Sequence, residues 1–230
     1  MKAVIVPVCA RVVDSFPFSQ GGTLAQAKRL ATTGVHGIIG YLGAMTKARL
    51  ATVLAAGLGF MPVTFAGEYK DGAADEIAQL RALDIPKGTT VWLDLEGLDA
   101  WNTPADKLIA LIEAWARDIV GAGYMAGLYV GAPQPLTGKQ LYSLKNITRY
   151  WLGIGRCVGK DGLDAYPDCG WCVRQDWHNN PNLASHNLKG GMLWPPKELY
   201  PNVPEHERVF VDTNGVQADH KGRLPVWVVA

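Results

Sequence analysis

Two carboxylates, Asp94 and Glu96, close an apolar run in the stretch Thr89-Thr90-Val91-Trp92-Leu93-Asp94-Leu95-Glu96. Side chains alternate between the two faces of a strand, so residues two apart point the same way. Val91, Leu93 and Leu95 therefore share one face, and Trp92, Asp94 and Glu96 share the other. The strand rise puts the two acidic Cα atoms about 6.8 Å apart. Side-chain rotation can then bring the carboxyl groups to a spacing that serves glycoside hydrolysis. The chemistry is a division of labour. Burial and a like-charged neighbour keep one group protonated as an acid, while the other stays ionised and stabilises positive charge on the sugar. Taken alone, D-x-E also describes a strand running into a polar loop. The catalytic reading gains from other groups at strand ends. Asp14 ends the first strand, and Asp212 shares a face with Phe210 and Asn214 in the last. Tyr41, Tyr129 and Gln175 end strands two, five and seven. Polar and aromatic groups converging from several strand ends suit a sugar-binding cleft, with Tyr41, Trp92, Tyr129, Gln175 and Asn214 as substrate contacts. Trp92 and Tyr129 read equally well as barrel filling.

The elements that must carry these residues repeat every 25 to 30 residues: a β-rich run, then a helical run ending near Gly. The first strand is the later half of AVIVPVCARVVDS. Strands follow at 37–42, 59–66, 89–97 and 125–131, with helices at about 23–33, 46–57, 72–83, 103–121 and 137–145. Thr103-Pro104-Ala105-Asp106 reads as an N-cap, a Pro at the first helical position and an acid at the third. Beyond that, YWLGIG, GWCVRQDW and RVFVDTN read as strands joined by segments rich in Gly, Pro, Asn and Asp. Eight strands, with helices after the first five, predict an α/β fold: an irregular TIM-like (β/α)5(β)3 barrel forming one domain over residues 1–230. The acids then sit at the C-terminal mouth, where barrel enzymes place their chemistry.

Composition narrows the function. With 48% hydrophobic and 19% charged residues and a net charge of +1, the chain offers no electrostatic case for nucleic acid or an anionic membrane. No stretch approaches the roughly 20 apolar residues of a membrane span. The N-terminal MKAVIVPVCARVVDSF reads as a first strand rather than an export signal, since Asp14 follows directly and no small-x-small cleavage site stands out. Cys9, Cys157, Cys169 and Cys172 admit three readings: structural or incidental thiols, a disulfide, or, with His178, a metal site of irregular spacing. His36, His178, His186, His206 and His220 lack ligand spacing and are taken as surface or loop residues. Asp99 and Trp101 lead into the following helix. There is no G-x-S-x-G, P-loop or Rossmann fingerprint. A two-carboxylate mechanism needs neither a cofactor nor a metal.

These motifs together resemble a known group. VVDSF at strand one, D-L-E at strand four, GLYVG at strand five, a Gln-bearing strand seven and VFVDTN at strand eight are similar to glycoside-hydrolase-like barrels related to family 25 lysozymes. GIIGYLGAMTKARLATVLAAGLGFMPV resembles the DUF1906 branch in particular. The resemblance spans almost the whole chain and implies the five-plus-three barrel counted above. It implies a muramidase-like hydrolase of peptidoglycan glycan strands, with Glu96 as general acid and Asp94 stabilising the reacting N-acetyl group or oxocarbenium ion. Asp14 and Asp212 would support the site. Asp14-Ser15 stands without the Gly usual in a family 25 opening. Many single-domain members belong to phages, which implies an endolysin or virion-associated lysin, cytoplasmic until released and monomeric. The alternatives are a catalytically weak cell-wall-binding barrel and a hydrolase of another glycan.

Overall fold

The computed structural model describes residues 1–65, 72–95, 103–131, 136–153, 170–175, 192–195, 197 and 199–230. Glu96, Asp99, Trp101, Cys157, Cys169, His178 and His186 lie outside the described residues.

Among the described residues, eleven strands form one sheet. They are β1 (Lys2–Ile5), β2 (Arg11–Asp14), β3 (Gly37–Tyr41), β4 (Gly59–Phe65), β5 (Thr90–Asp94), β6 (Met125–Val130), β7 (Arg149–Leu152), β8 (Val173–Gln175), β9 (Met192–Trp194), β10 (Val209–Val216) and β11 (Val226–Val229). β2 to β8 pair successively in parallel. β10 pairs antiparallel with both β8 and β2 and closes the barrel. The expected eight-stranded barrel is present, with one strand reversed. β8 ends at the mouth and β10 runs back down from that end, so the two pair antiparallel.

The helices are α1 (Phe16–Gly21), α2 (Leu24–Thr32), α3 (Lys47–Ala55), α4 (Ala74–Ala82), α5 (Ala105–Gly121) and α6 (Gly138–Ser143). They follow the first five barrel strands, as the sequence pattern predicts. Thr23 with Gln26, and Thr137 with Gln140, form reciprocal capping boxes that fix the starts of α2 and α6. The flanking residue of α5 is Pro104 rather than Thr103. α5 buries Leu108, Ile112, Trp115, Ala116 and Ile119, a stripe at helical spacing. Each large side chain there contributes about 1.5–3 kcal/mol of apolar transfer.

Strand alternation sorts the core into two layers. Val13, Ile38, Phe60, Val91, Leu93, Leu95 and Leu128 join the layer beneath the helices. Val12, Ile39, Met61, Val63, Trp92, Tyr129, Trp151, Val173 and Val216 fill the barrel. The first barrel strand, β2, lies in the later half of AVIVPVCARVVDS as expected, and the first half of that stretch forms a separate strand, β1. Cys9, at φ 65, turns the chain between them. β1 pairs with β11, and β11 pairs with β4 through Val228 and Phe60. Trp227 packs into the barrel layer from this end. It lies so close to Gly37 and Gly59 that a Cβ at either would fall 2.6 or 2.3 Å from its ring, so only glycine admits this indole.

Candidate functional site

β5 carries Asp94 to the mouth with the alternation expected: Val91, Leu93 and Leu95 turn to the helices and Trp92 fills the barrel. Asp94 is buried, 2% exposed, and its Oδ2 accepts a hydrogen bond from the Tyr41 hydroxyl at 3.4 Å. Across the sheet, Asp94 is level with Phe65 on β4 and with Tyr129 on β6. Residues level on adjacent strands project to the same side, so these three flank one another at the rim.

Tyr41 is held by a turn that the sequence analysis left unassigned. Ser15 caps α1 by accepting from the Phe18 N–H at 3.1 Å, and its hydroxyl donates to the Phe210 carbonyl at 2.6 Å. One turn on, the Ser19 hydroxyl donates to the Ser15 carbonyl at 2.9 Å and accepts from the Tyr41 N–H at 3.0 Å. Ser15-Phe16-Pro17 is a helix start that the sequence displays: a capping Ser with Pro in the first turn.

Asp14 and Asp212 are paired across β2 and β10. Because β10 runs downward from the mouth, Asn214 lies deeper than Asp212. That explains why Asn214 is 1% exposed while Asp212 is half-buried. The Asn214 amide donates to Asp14 Oδ1 at 2.7 Å and accepts from the Trp151 indole N–H at 2.8 Å. Trp151 was not singled out in the sequence, and no motif marks it. It packs against Tyr129 with ring centroids 4.5 Å apart and edge-on against Trp92 at 6.0 Å. The Tyr129 hydroxyl donates to Gln175 Oε1 at 3.1 Å.

The structure thus brings Asp14, Asp94, Asp212, Tyr41, Tyr129, Gln175 and Asn214 to one end of the barrel. Trp92 differs. It is fully buried against Trp151 and the backbone of Gly127, where a Cβ would come within 2.4 Å of its ring. Of the two readings of Trp92, this is the position of barrel filling. Tyr129, 7% exposed, joins the same packed layer but turns its hydroxyl to Gln175. What gathers at the mouth is a buried carboxyl beside a phenol, and a second carboxyl fixed by an amide. Such an arrangement can hold a polar ligand over the barrel axis and place charge against it.

Cys9 is exposed and Cys172 is buried, and both are free thiols. Burial pushes the Cys172 thiol up to about 12, although the neighbouring Arg149 acts against it. It is therefore a packed, unreactive group at the end of the barrel opposite the mouth. His36, His206 and His220 are exposed. Among the described residues, no group of three or more His, Cys, Asp or Glu side chains is placed to hold a metal ion. No helix among them is long and apolar enough to cross a membrane.

No family model matches the chain, and no curated protein matches it. Solved structures share its fold. An uncharacterized B. stearothermophilus protein superposes with a TM-score of 0.56 at 18% identity, covering 90% of this chain and 96% of its own. The Tat-secreted protein Rv2525c of Mycobacterium tuberculosis, solved in complex with HEPES, gives 0.54 at 12% identity, covering 95% and 99%. The bacterial lysozyme from Streptomyces coelicolor gives 0.51 at 9% identity, covering 92% and 94%. At these identities the likeness is one of fold: the chain is built on the same barrel architecture as a Tat-secreted protein and a bacterial lysozyme.

Proposed function

We propose that the protein is a glycosidase of the bacterial cell wall, acting on the glycan strand of peptidoglycan through paired carboxylates. The observation that carries this is Asp94, a buried carboxyl at the C-terminal mouth of a closed barrel, hydrogen-bonded to Tyr41. Fold likeness to a bacterial lysozyme supports the reading. Glu96, two residues further along, takes the role of general acid. Asp94 stabilises the charge that develops on the sugar, and Asp14 and Asp212 support the site from β2 and β10. Tyr41, Tyr129, Gln175 and Asn214 contribute polar contacts around it. The substrate is cell-wall glycan whatever the source of the protein. A phage origin gains no support from the structural neighbours, one of which is described as Tat-secreted.

The test is digestion of purified peptidoglycan by the protein and by its Glu96→Gln variant, with soluble fragments analysed by mass spectrometry. Muropeptides carrying a new reducing end, released by the native protein and not by the variant, are the expected result. A second reading, a glycan-binding barrel without turnover, is favoured by one observation: Asp14 is already engaged by Asn214, as in a structural network. Wall binding with no product from either protein would establish that reading instead.

A further inference from the structure

A cavity of about 680 Å³ opens beside the mouth, between the ends of β3 and β4 and the first turn of α4. That volume is within the roughly 300–1,000 Å³ of small-molecule sites. One wall is aromatic. Phe16 meets Tyr41 edge-on at 5.3 Å, and Tyr41 meets Phe65 at 6.1 Å. Phe16 is 49% and Phe65 37% exposed. Such rings left open to water at a concave site are a mark of ligand contact. The rest of the lining carries hydrogen-bonding heads: Arg49, Glu76 and Gln79. Arg49 is steadied by donating to the Ala44 carbonyl at 2.5 Å, and Glu76 by accepting from the Thr64 hydroxyl at 3.4 Å.

We propose that this cavity is a glycan subsite. It takes sugar units of the chain whose bond lies over Asp94, and so rests on the reading given under Proposed function. A pyranose ring has an apolar C–H face and a rim of hydroxyls. Phe16 and Phe65 offer surfaces for the face, while Arg49, Glu76 and Gln79 offer donors and acceptors for the rim. A lipid chain would find charged heads in its path, and a polyanion would meet Asp75 and Glu76. Tyr41 belongs to both places: it lines the cavity and its hydroxyl reaches Asp94. Phe65 is level with Asp94 in the sheet. A chain seated in the cavity therefore continues directly onto the buried carboxyl.

The experiment is calorimetric titration of the full chain carrying Glu96→Gln, which blocks turnover, with the hexamer of N-acetylglucosamine. The same titration follows with Phe65→Ala or Glu76→Gln added, and thermal unfolding confirms that each variant folds. Phe65→Ala should weaken hexamer binding about tenfold and Glu76→Gln about threefold to tenfold. Unchanged affinity in both variants overturns the proposal, as does no binding by the protein with an intact cavity at millimolar hexamer. Loss of affinity confined to peptide-bearing muropeptides, with the hexamer unaffected, assigns the cavity to the stem peptide and also overturns it. Failure of the hydrolase reading looks different: no fragments are released from peptidoglycan, while the effects on hexamer binding persist.

Discussion

Asn214→Leu keeps the branched outline of the side chain and replaces its amide with two methyl groups, and the structure sets the size of the effect. Asn214 is 1% exposed. It accepts from the Trp151 indole at 2.8 Å and donates to Asp14 Oδ1 at 2.7 Å. In the variant, the buried indole N–H loses its acceptor, at about 1–3 kcal/mol, and the Asp14 carboxyl loses a donor, at about 1.5–3 kcal/mol. The added apolar surface offsets about 1 kcal/mol. The net loss is about 1.5–5 kcal/mol. At about 2–4 °C per kcal/mol for a chain of this length, Tm should fall by roughly 3–20 °C. The assay is urea unfolding followed by tryptophan fluorescence and far-UV circular dichroism, with coincident transitions required for two-state treatment. Trp151→Phe removes the same bond from its other end, so the double variant should cost about 1 kcal/mol less than the sum of the singles. Stability of Asn214→Leu within about 0.5 kcal/mol of native, or full additivity in the double variant, would refute the account of a shared network under the site.

The remaining predictions concern the scaffold. Gly127→Ala pushes a methyl into the buried Trp92 ring and should cost about 1–3 kcal/mol. Gly121→Ala, at the end of α5 with open space around it, should stabilise by up to about 1 kcal/mol; denaturant titration reads both. Alkylation with peptide mapping should modify Cys9 in the native protein and leave Cys172 unmodified until unfolding, since burial holds its thiol protonated. Burial raises the Asp219 carboxyl, but the Arg223 side chain and the backbone N–H groups of Arg223 and Lys221 together hold it below its ordinary value. A depressed carboxyl contributes stability above the ordinary carboxylate range and loses it as pH falls toward the folded-state value. Unfolding below about pH 4 should therefore depend less steeply on pH in Asp219→Asn, which also loses about 1–3 kcal/mol at neutral pH. An unchanged acid limb in that variant would exclude this turn as the source.

The local elements were legible in the chain because local physics makes them. Thr23-Leu-Ala-Gln26 and Thr137-Gly-Lys-Gln140 carry their caps within four residues. Alternation alone placed Val91, Leu93 and Leu95 under the helices and Trp92 inside the barrel. The five βα units followed from the same periodicities, and with them the mouth as the place where Asp14, Tyr41, Asp94 and Tyr129 meet. Tertiary structure decided what depends on partners distant in sequence. β1 and β11 lie more than 220 residues apart along the chain, so no local pattern could pair them or bring Trp227 against Gly37 and Gly59. The direction of β10 was likewise invisible, since a strand's residues are the same whichever way its neighbours run. That direction sends Asn214 below Asp212, where it meets Trp151 and Asp14. The cavity beside Tyr41 depends on Phe16, Phe65 and Glu76, from three separate elements. Their types could be read in order along the chain, but their juxtaposition exists only once the sheet has closed.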